Sequence, residues 1–335
     1  MSSPLVSILI PNYNKTAFLR ETLDSVLSQT YTNLECIIVD DHSTDHSWEI
    51  LEEYAKKDSR IKIFKRPDDR IKGGSVARNY AFELSKGEFV QWLDSDDVIH
   101  PNKIQDQLQD LLSAELDAIS ISNWDWFDFL PEIEKMLENS NFNPSIKSRW
   151  KEHPKNGLNL VLWLFKNNLF IPSHSYFLTR QIILKSGLWD EDLNKNQDGE
   201  FMLRVLLKSK QVVFNDSVYA FYRRPDSSHL SRQATLQTYL DWFKSLELGD
   251  ENILEVLDSK EIRNILMMNY ERLIKFTGLD FPQVTQMALE RINVLNPKVR
   301  FDLSKPFLIW LSSWLGFRNF VRMRDFLIGL KLLKH

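Results

Sequence analysis

The densest chemistry in the sequence lies in WLDSDD at 92–97, where Asp94, Ser95, Asp96 and Asp97 follow the apolar run Phe89–Leu93. Carboxylates packed that closely repel one another unless a cation or hydrogen-bond donors compensate them. Hard oxygen donors at a strand end suit Mg²⁺ or Mn²⁺ carrying a nucleoside diphosphate. The same acids also suit the first turn of a helix, where they meet the positive end of its dipole. Three other polar stretches end apolar runs in the same way: PNYN after Val6–Ile10, DDHSTD after Glu35–Val39 and RPDDRIKGG after Ile61–Phe64. In an open α/β sheet the carboxyl ends of the strands line the ligand crevice, so four such loops converge on one site.

These four runs, with Ala118–Ser122 as a fifth, read as strands covered on both faces. Between the first two, Phe18, Leu19, Thr22, Leu23, Val26 and Leu27 recur at helical spacing, with Asn14 as the N-cap candidate. A second helix is predicted from Ser75 to Ser85, with Val76, Tyr80, Ala81 and Leu84 inward and Gly87 as its stop. The alternation implies a parallel sheet with crossover helices. From Pro101 onward the pattern loosens into helical and loop segments, including NWDWFDF at 123–129 and LVLWLF at 160–165, and from Leu236 it reads as helical.

With 335 residues, 43% of them hydrophobic and 26% charged, the composition excludes disorder and disulfide scaffolds. The single cysteine, Cys36, lies in an apolar run and reads as a small buried hydrophobe. A net charge of −4 gives no drive toward nucleic acid. The start, MSSPLVSILIPNYN, lacks the basic region of a signal peptide, and no stretch approaches the ~20 apolar residues that span a bilayer, so a cytoplasmic location is expected. Charge is uneven, however. Residues 300–335 hold seven cations against Asp302 and Asp325, a net +5 that leaves −9 for the remainder. Trp310, Trp314 and Phe317 fall at helical spacing there, as in a basic amphipathic helix lying on the inner face of an anionic membrane, or in one packed on protein.

Three long segments in order, VSILIPNYNKTAFLRETLDSVLSQTYTNLECIIVDDHSTD, GGSVARNYAFELSKGEFVQWLDSDD and SGLWDEDLNKNQDGEFMLRV, resemble the family 2 glycosyltransferases over nearly all of residues 5–232. The resemblance implies a GT-A, Rossmann-like α/β fold: a mostly parallel central sheet flanked by helices, here with a C-terminal helical extension. It implies nucleotide-sugar binding by residues 1–100 and acceptor binding and catalysis by 101–235, leaving 236–335 as a helical region for membrane contact or homodimerisation.

The implied reaction is inverting transfer from a nucleoside diphosphate sugar, UDP foremost, to a glycan or lipid-linked acceptor in cell-surface polysaccharide synthesis. Pro11 and Tyr13 fall at the base pocket, and Asp40 and Asp41 where a carboxylate meets base or ribose. Lys72, Gly73, Gly74 and Arg78 open a helix where amides and cations face a pyrophosphate. Asp94 and Ser95 fall beside the sugar or ribose, Asp96 is the implied ligand of Mn²⁺ or Mg²⁺, and Asp97 supports it. Asp198 in NQDGEFMLRV is the implied catalytic base, on a helix that continues to Arg204. Arg223 and Arg224 are candidate diphosphate contacts.

Two departures stand out. Gln197 replaces the commoner Glu, and Pro225 stands where a histidine is expected, leaving His229 as the substitute metal ligand and His174 as a weaker candidate on the acceptor side. These keep open a non-catalytic carbohydrate-binding protein of the same fold. An Asp-x-Asp phosphatase would carry its acid pair on the first strand, and a dinucleotide-dependent oxidoreductase would show Gly-x-Gly-x-x-Gly where this chain has PNYNK.

Overall fold

The computed structural model describes residues 3–130, 153–224, 235–278 and 280–297. The chain divides into two compact units, Met1–Trp163 with Phe170–Ser228, and Leu164–Leu169 with His229–His335. The first contains strands β1 (Val6–Asn12), β2 (Leu34–Asp40), β3 (Ile61–Lys65), β4 (Phe89–Trp92), β5 (Val98–Ile99), β6 (Ala118–Phe127), β7 (Tyr176–Thr179) and β8 (Gln211–Arg223). They form one sheet in the order β3-β2-β1-β4-β7-β6-β8-β5. Parallel pairing runs from β3 through β2 and β1 to β4, then β7 lies antiparallel between β4 and β6. Beyond it β6 and β8 are parallel, and β5 closes the edge antiparallel to β8.

Crossover helices α1 (Leu19–Leu27), α2 (Ser47–Lys57) and α3 (Gly74–Leu84) connect the parallel strands, and α4 (Lys103–Leu112), α5 (Gly157–Asn167), α6 (Arg180–Ser186) and α7 (Gln197–Lys208) follow. The apolar periodicity is spent as expected. Val6, Ile8 and Ile10 of β1 and Cys36 and Ile38 of β2 are buried with Leu19, Leu23 and Val26 of α1 and Leu51 and Tyr54 of α2. Burying a large aliphatic side chain contributes roughly 1.5–3 kcal/mol, so this layer dominates the unit's stability. Cys36 is fully buried, which pushes its thiol pKa up and leaves it unreactive.

Several local expectations shift. Helix α1 starts at Leu19 after Phe18 rather than behind an Asn14 cap; Asn14 has φ 51° and accepts a hydrogen bond from Thr44 N at 2.8 Å, so it joins two loops instead. Helix α3 ends before Ser85, and Gly87 serves a close approach: a Cβ there would lie 2.5 Å from Ser7 N and Oγ. Gly87→Ala should therefore destabilise by about 1–3 kcal/mol, read as a lower urea midpoint at unchanged slope. Pro11 is tolerated inside a central strand because β4 pairs with β1 only through Leu9, leaving no ladder bond there to lose. Finally, the aromatic stretch from 123 is not loop: β6 runs on through Phe127.

The second unit contains helices α8 (Leu236–Val256), α9 (Lys260–Thr277) and α10 (Pro282–Leu295). Thr235 and Ser259 cap the first two through their side-chain oxygens. Asp250 of α8 accepts the Tyr270 hydroxyl at 2.7 Å and Arg291 Nε at 3.1 Å, tying all three together; burial nevertheless pushes its carboxyl up to about 6. Among the described residues no helix is long and apolar enough to cross a membrane. Pro225, His229 and residues 300–335 lie outside the described residues.

Candidate active site

The loops that follow β1 and β2 are locked together first. Asn12 Nδ2 donates to Asp40 Oδ1 at 2.7 Å, and Ser43 donates to Asp40 through its backbone N at 2.9 Å and its hydroxyl at 2.6 Å. Asp40 is thus committed to shaping the turn. Its neighbour Asp41 faces the next loop, where it accepts from Arg66 Nε and from Gly73 N at 3.1 Å. The amide of Gly73, just before α3, therefore serves Asp41 in this structure. Tyr13 is exposed and carries the Lys72 ammonium 3.5 Å from its ring centroid.

One turn of helix further on, Arg78 points back under the sheet end. Its Nη2 donates to Asp94 Oδ1 at 2.6 Å, and its guanidinium lies 4.6 Å from the Trp189 ring. Gly74 leaves room for it, since a Cβ there would sit 3.0 Å from Arg78 Nη1. Arg78 is buried, and its Nε and Nη1 have no hydrogen-bond partner among the described residues. A buried guanidinium with spare donors is suited to an anionic ligand. Trp189 is fixed by Asn79, which accepts from its N at 3.0 Å and donates to its carbonyl at 2.9 Å.

Each acid after β4 has its own basic partner. Asp94 faces Arg78; Asp96 Oδ2 accepts from Lys15 Nζ at 2.6 Å; Asp97 Oδ2 lies 3.0 Å from His174 Nδ1. Burial opposes ionisation of Asp94, but Arg78, helped by His174 and Lys15, holds its pKa below the ordinary range. Asp97 goes the other way. Burial, reinforced by Asp96 and Asp94 against the pull of His174, pushes it up to about 6. Ser95 is buried between them.

Arg223, at the end of β8, is spent on holding this turn. Its N donates to Asp97 Oδ1 at 2.8 Å, its Nε to the Asp96 carbonyl at 2.8 Å and its Nη2 to Glu21, while its guanidinium lies 4.3 Å from both the Phe18 and Phe127 rings. It is a positioning residue rather than a free diphosphate contact. Arg224 is exposed beside Asp128 at 3.7 Å.

Asp198 is the second residue of α7. Arg204 anchors that helix, pairing with Glu200 at 2.6 Å and donating to the carbonyl of Leu188 at 2.8 Å. Burial raises the Asp198 pKa, opposed by the Gly199 amide and Arg78 and reinforced by Asp94. The base candidate therefore shares one electrostatic environment with the Arg78–Asp94 pair. Gln197 precedes it, half-buried.

Lys15, Arg66 and Asn12 were invisible as site residues because their roles depend on loops meeting across the sheet end; only the basic residue directly after β3 hinted at Arg66. His174, the weaker histidine candidate, proves to be fully buried against Asp97. Among the described residues no group of three or more His, Cys, Asp or Glu is arranged to hold a metal ion. Asp94 and Asp96 still offer hard oxygens of the right chemistry. A divalent cation would be held by Asp96, with Asp94 beside it, and Lys15 would have to release Asp96.

The profile of glycosyl transferase family 2 matches residues 7–188, more than half of the chain. The chain belongs to the family 2 glycosyltransferases. An uncharacterized glycosyltransferase of Haemophilus influenzae is 40% identical over 116 residues, 35% of this chain and 46% of that one, so the similarity spans less than half of that relative. The crystal structure of S. aureus TarS 1-349 in complex with UDP-GlcNAc superposes with a TM-score of 0.61 at 17% identity, covering 93% of this chain and 92% of that one. The mannosyltransferase PcManGT from Pyrobaculum calidifontis, in complex with GDP-Man and Mn²⁺, gives 0.53 at 14%, covering 99% and 87%. At those identities the structures establish a shared fold, the mixed α/β GT-A sheet flanked by helices, and this family 2 member keeps it.

Proposed function

We propose that this chain is an inverting glycosyltransferase that moves a sugar from a nucleoside diphosphate, UDP, to a hydroxyl of a glycan or lipid-linked acceptor in cell-surface polysaccharide synthesis. The observation that carries the reading is that the half-buried Asp198, its pKa raised by desolvation, lies within electrostatic reach of the Arg78–Asp94 pair at the carboxyl ends of the strands. The acceptor hydroxyl gives its proton to the Asp198 carboxylate as its oxygen attacks the anomeric carbon. The bond from that carbon to the phosphate oxygen breaks with its electron pair left on the diphosphate. Residues 1–100 hold the nucleotide in this reading, with Pro11, Tyr13, Asp41 and Arg66 around base and ribose and Arg78 and Lys72 toward the diphosphate. Residues 101–235 bring the acceptor.

A divalent cation, as in the Mn²⁺-bound relative of like fold, would supply neutralisation of charge on the leaving diphosphate, with Asp96 as its ligand and Asp94 beside it. His229 is a proposed further ligand.

A thermal-shift screen of nucleotide sugars with and without Mn²⁺ tests the donor. A ligand at 100 times its Kd stabilises the native state by about 2.7 kcal/mol, a shift of several degrees. UDP-sugars should shift the transition most, with Mn²⁺ enlarging the effect; no shift with any nucleotide sugar would overturn the reading. The basic residues 300–335 are proposed to hold the enzyme on the inner, anionic membrane surface. The full chain should float with anionic liposomes and a chain ending at 299 should not; equal flotation, with the full chain alone dimeric, would assign the segment to homodimer formation.

A further inference from the structure

We propose that an aromatic face on β6 and β8, beside the acid cluster, is the acceptor subsite, where the apolar face of a pyranose ring stacks. The inference rests on the glycosyltransferase reading and deepens it. In β6 the side chains alternate, so Trp124 and Trp126 share one face while Phe127 turns to the other, where it is buried with Val98 and Phe221. The register with β8 places Ala220 beside Trp124 and Tyr222 beside Trp126. The small alanine leaves the first indole room, and the second stacks on Tyr222 with centroids 4.7 Å apart.

Phe170 completes the surface, 4.9 Å from Trp124 and 6.0 Å from Trp126. It is 48% exposed, an aromatic ring held over other rings yet open to water. Such a surface fits a ligand that is apolar on a face and polar around its edge, and a pyranose has this form, with C–H groups on its faces and hydroxyls around its rim.

The platform is continuous with the catalytic groups. Tyr222 lies 5.5 Å from His174, which in turn pairs with Asp97. Besides its burial, the Tyr222 hydroxyl feels the charges of Asp97, Asp198, Asp94 and Asp96, so the wall lies within electrostatic reach of the acid cluster and the base candidate. Beneath the rings, Trp124 Nε1 and His174 Nε2 are buried without hydrogen-bond partners among the described residues, leaving hydrogen-bonding capacity that the described protein groups do not use. Trp124 is itself buried, as is Trp189 between Arg78 and Phe201, so the ring surface left to a sugar is that of Phe170 with the half-buried Trp126 and Tyr222, and Trp124 backs it.

The test uses the full chain with UDP and Mg²⁺, which is diamagnetic and leaves the ligand signals sharp. Saturation-transfer NMR is recorded with methyl β-glucopyranoside, methyl β-galactopyranoside and methyl N-acetyl-β-glucosaminide at millimolar concentration. At least one glycoside should receive saturation at its ring protons. That signal should fall about 3- to 10-fold in Phe170→Ala, return in Phe170→Trp and persist in Leu184→Ala, an exposed control on α6. With the same glycoside as acceptor, its KM should rise by the same factor in Phe170→Ala, beyond any change in donor KM or kcat.

No saturation of any glycoside, or equal saturation in wild type and Phe170→Ala, overturns the platform while nucleotide-sugar binding in the thermal screen keeps the enzyme reading. Phe170-dependent saturation without any nucleotide-sugar binding would support the platform and overturn the enzyme reading.

Discussion

Asp198→Asn should lower the transfer rate by about 10²–10⁴-fold, some 3–5 kcal/mol of barrier, while calorimetry still detects nucleotide-sugar binding. The amide keeps the size of the side chain at the start of α7 but cannot take a proton. Because burial raises the Asp198 pKa, the carboxylate is a stronger base than an exposed aspartate. Activity in the wild type should fall on acidification through a pKa above the ordinary aspartate value, and that limb should vanish in the variant.

Stability supplies an independent sign. A carboxyl whose folded pKa is raised favours folding when protonated, and that contribution is lost as pH rises through the folded value. At neutral pH wild-type Asp198 therefore costs stability, and Asp198→Asn should melt higher, not lower. An inactive variant with a raised Tm would exclude misfolding as the cause; full activity would remove Asp198 as the base.

The second large effect concerns Asp96. Its carboxylate is buried and held by Lys15 at 2.6 Å, so an incoming cation must displace an ammonium already in place. Asp96→Ala removes the hard oxygen, and the gain in UDP affinity brought by Mn²⁺ should fall by at least about 10- to 100-fold in a calorimetric titration. Lys15→Gln should act oppositely on the metal alone and tighten Mn²⁺ binding without nucleotide. Unchanged Mn²⁺–UDP coupling in Asp96→Ala would put the cation elsewhere.

The part of the fold made of continuous apolar runs was readable. Strands β1 to β4 and helix α3 fall within a residue or two of the expected positions. Strands β1, β2 and β4 are buried almost throughout, as their apolar runs imply, whereas β3, IKIFK, lies at the sheet edge with Lys62 and Lys65 exposed and is not covered on both faces. Strands β7 and β8 escaped because their sequences, YFLT and QVVFNDSVYAFYR, mix polar and aromatic residues. Their identity is set by pairing with distant strands. In β6 the signal was present, since NWDWF alternates with period two, but tryptophans beside acids read as loop.

The same division holds at the site. Asp94, Asp96 and Asp198 could be named from local motifs and the family resemblance, whereas Lys15, Arg66 and the buried His174–Asp97 pair depend on loops separated by tens of residues in the chain.

The joint between β4 and β7 has a consequence for what holds the sheet together. Only Phe89 and Val90 pair across it, with Thr179 and Leu178, and beyond Val90 the pairing stops, so Trp92 to Asp97 run on without a partner from β7. Two residue pairs are a narrow suture between the parallel strands and the mixed ones. The backbone ladder contributes little there, so side chains hold the two sides of the sheet together: Phe89 stacks on Phe177, and Arg223 of β8 binds the Asp96–Asp97 turn and Glu21. A change at Arg223 would loosen the joint itself as well as the acid turn.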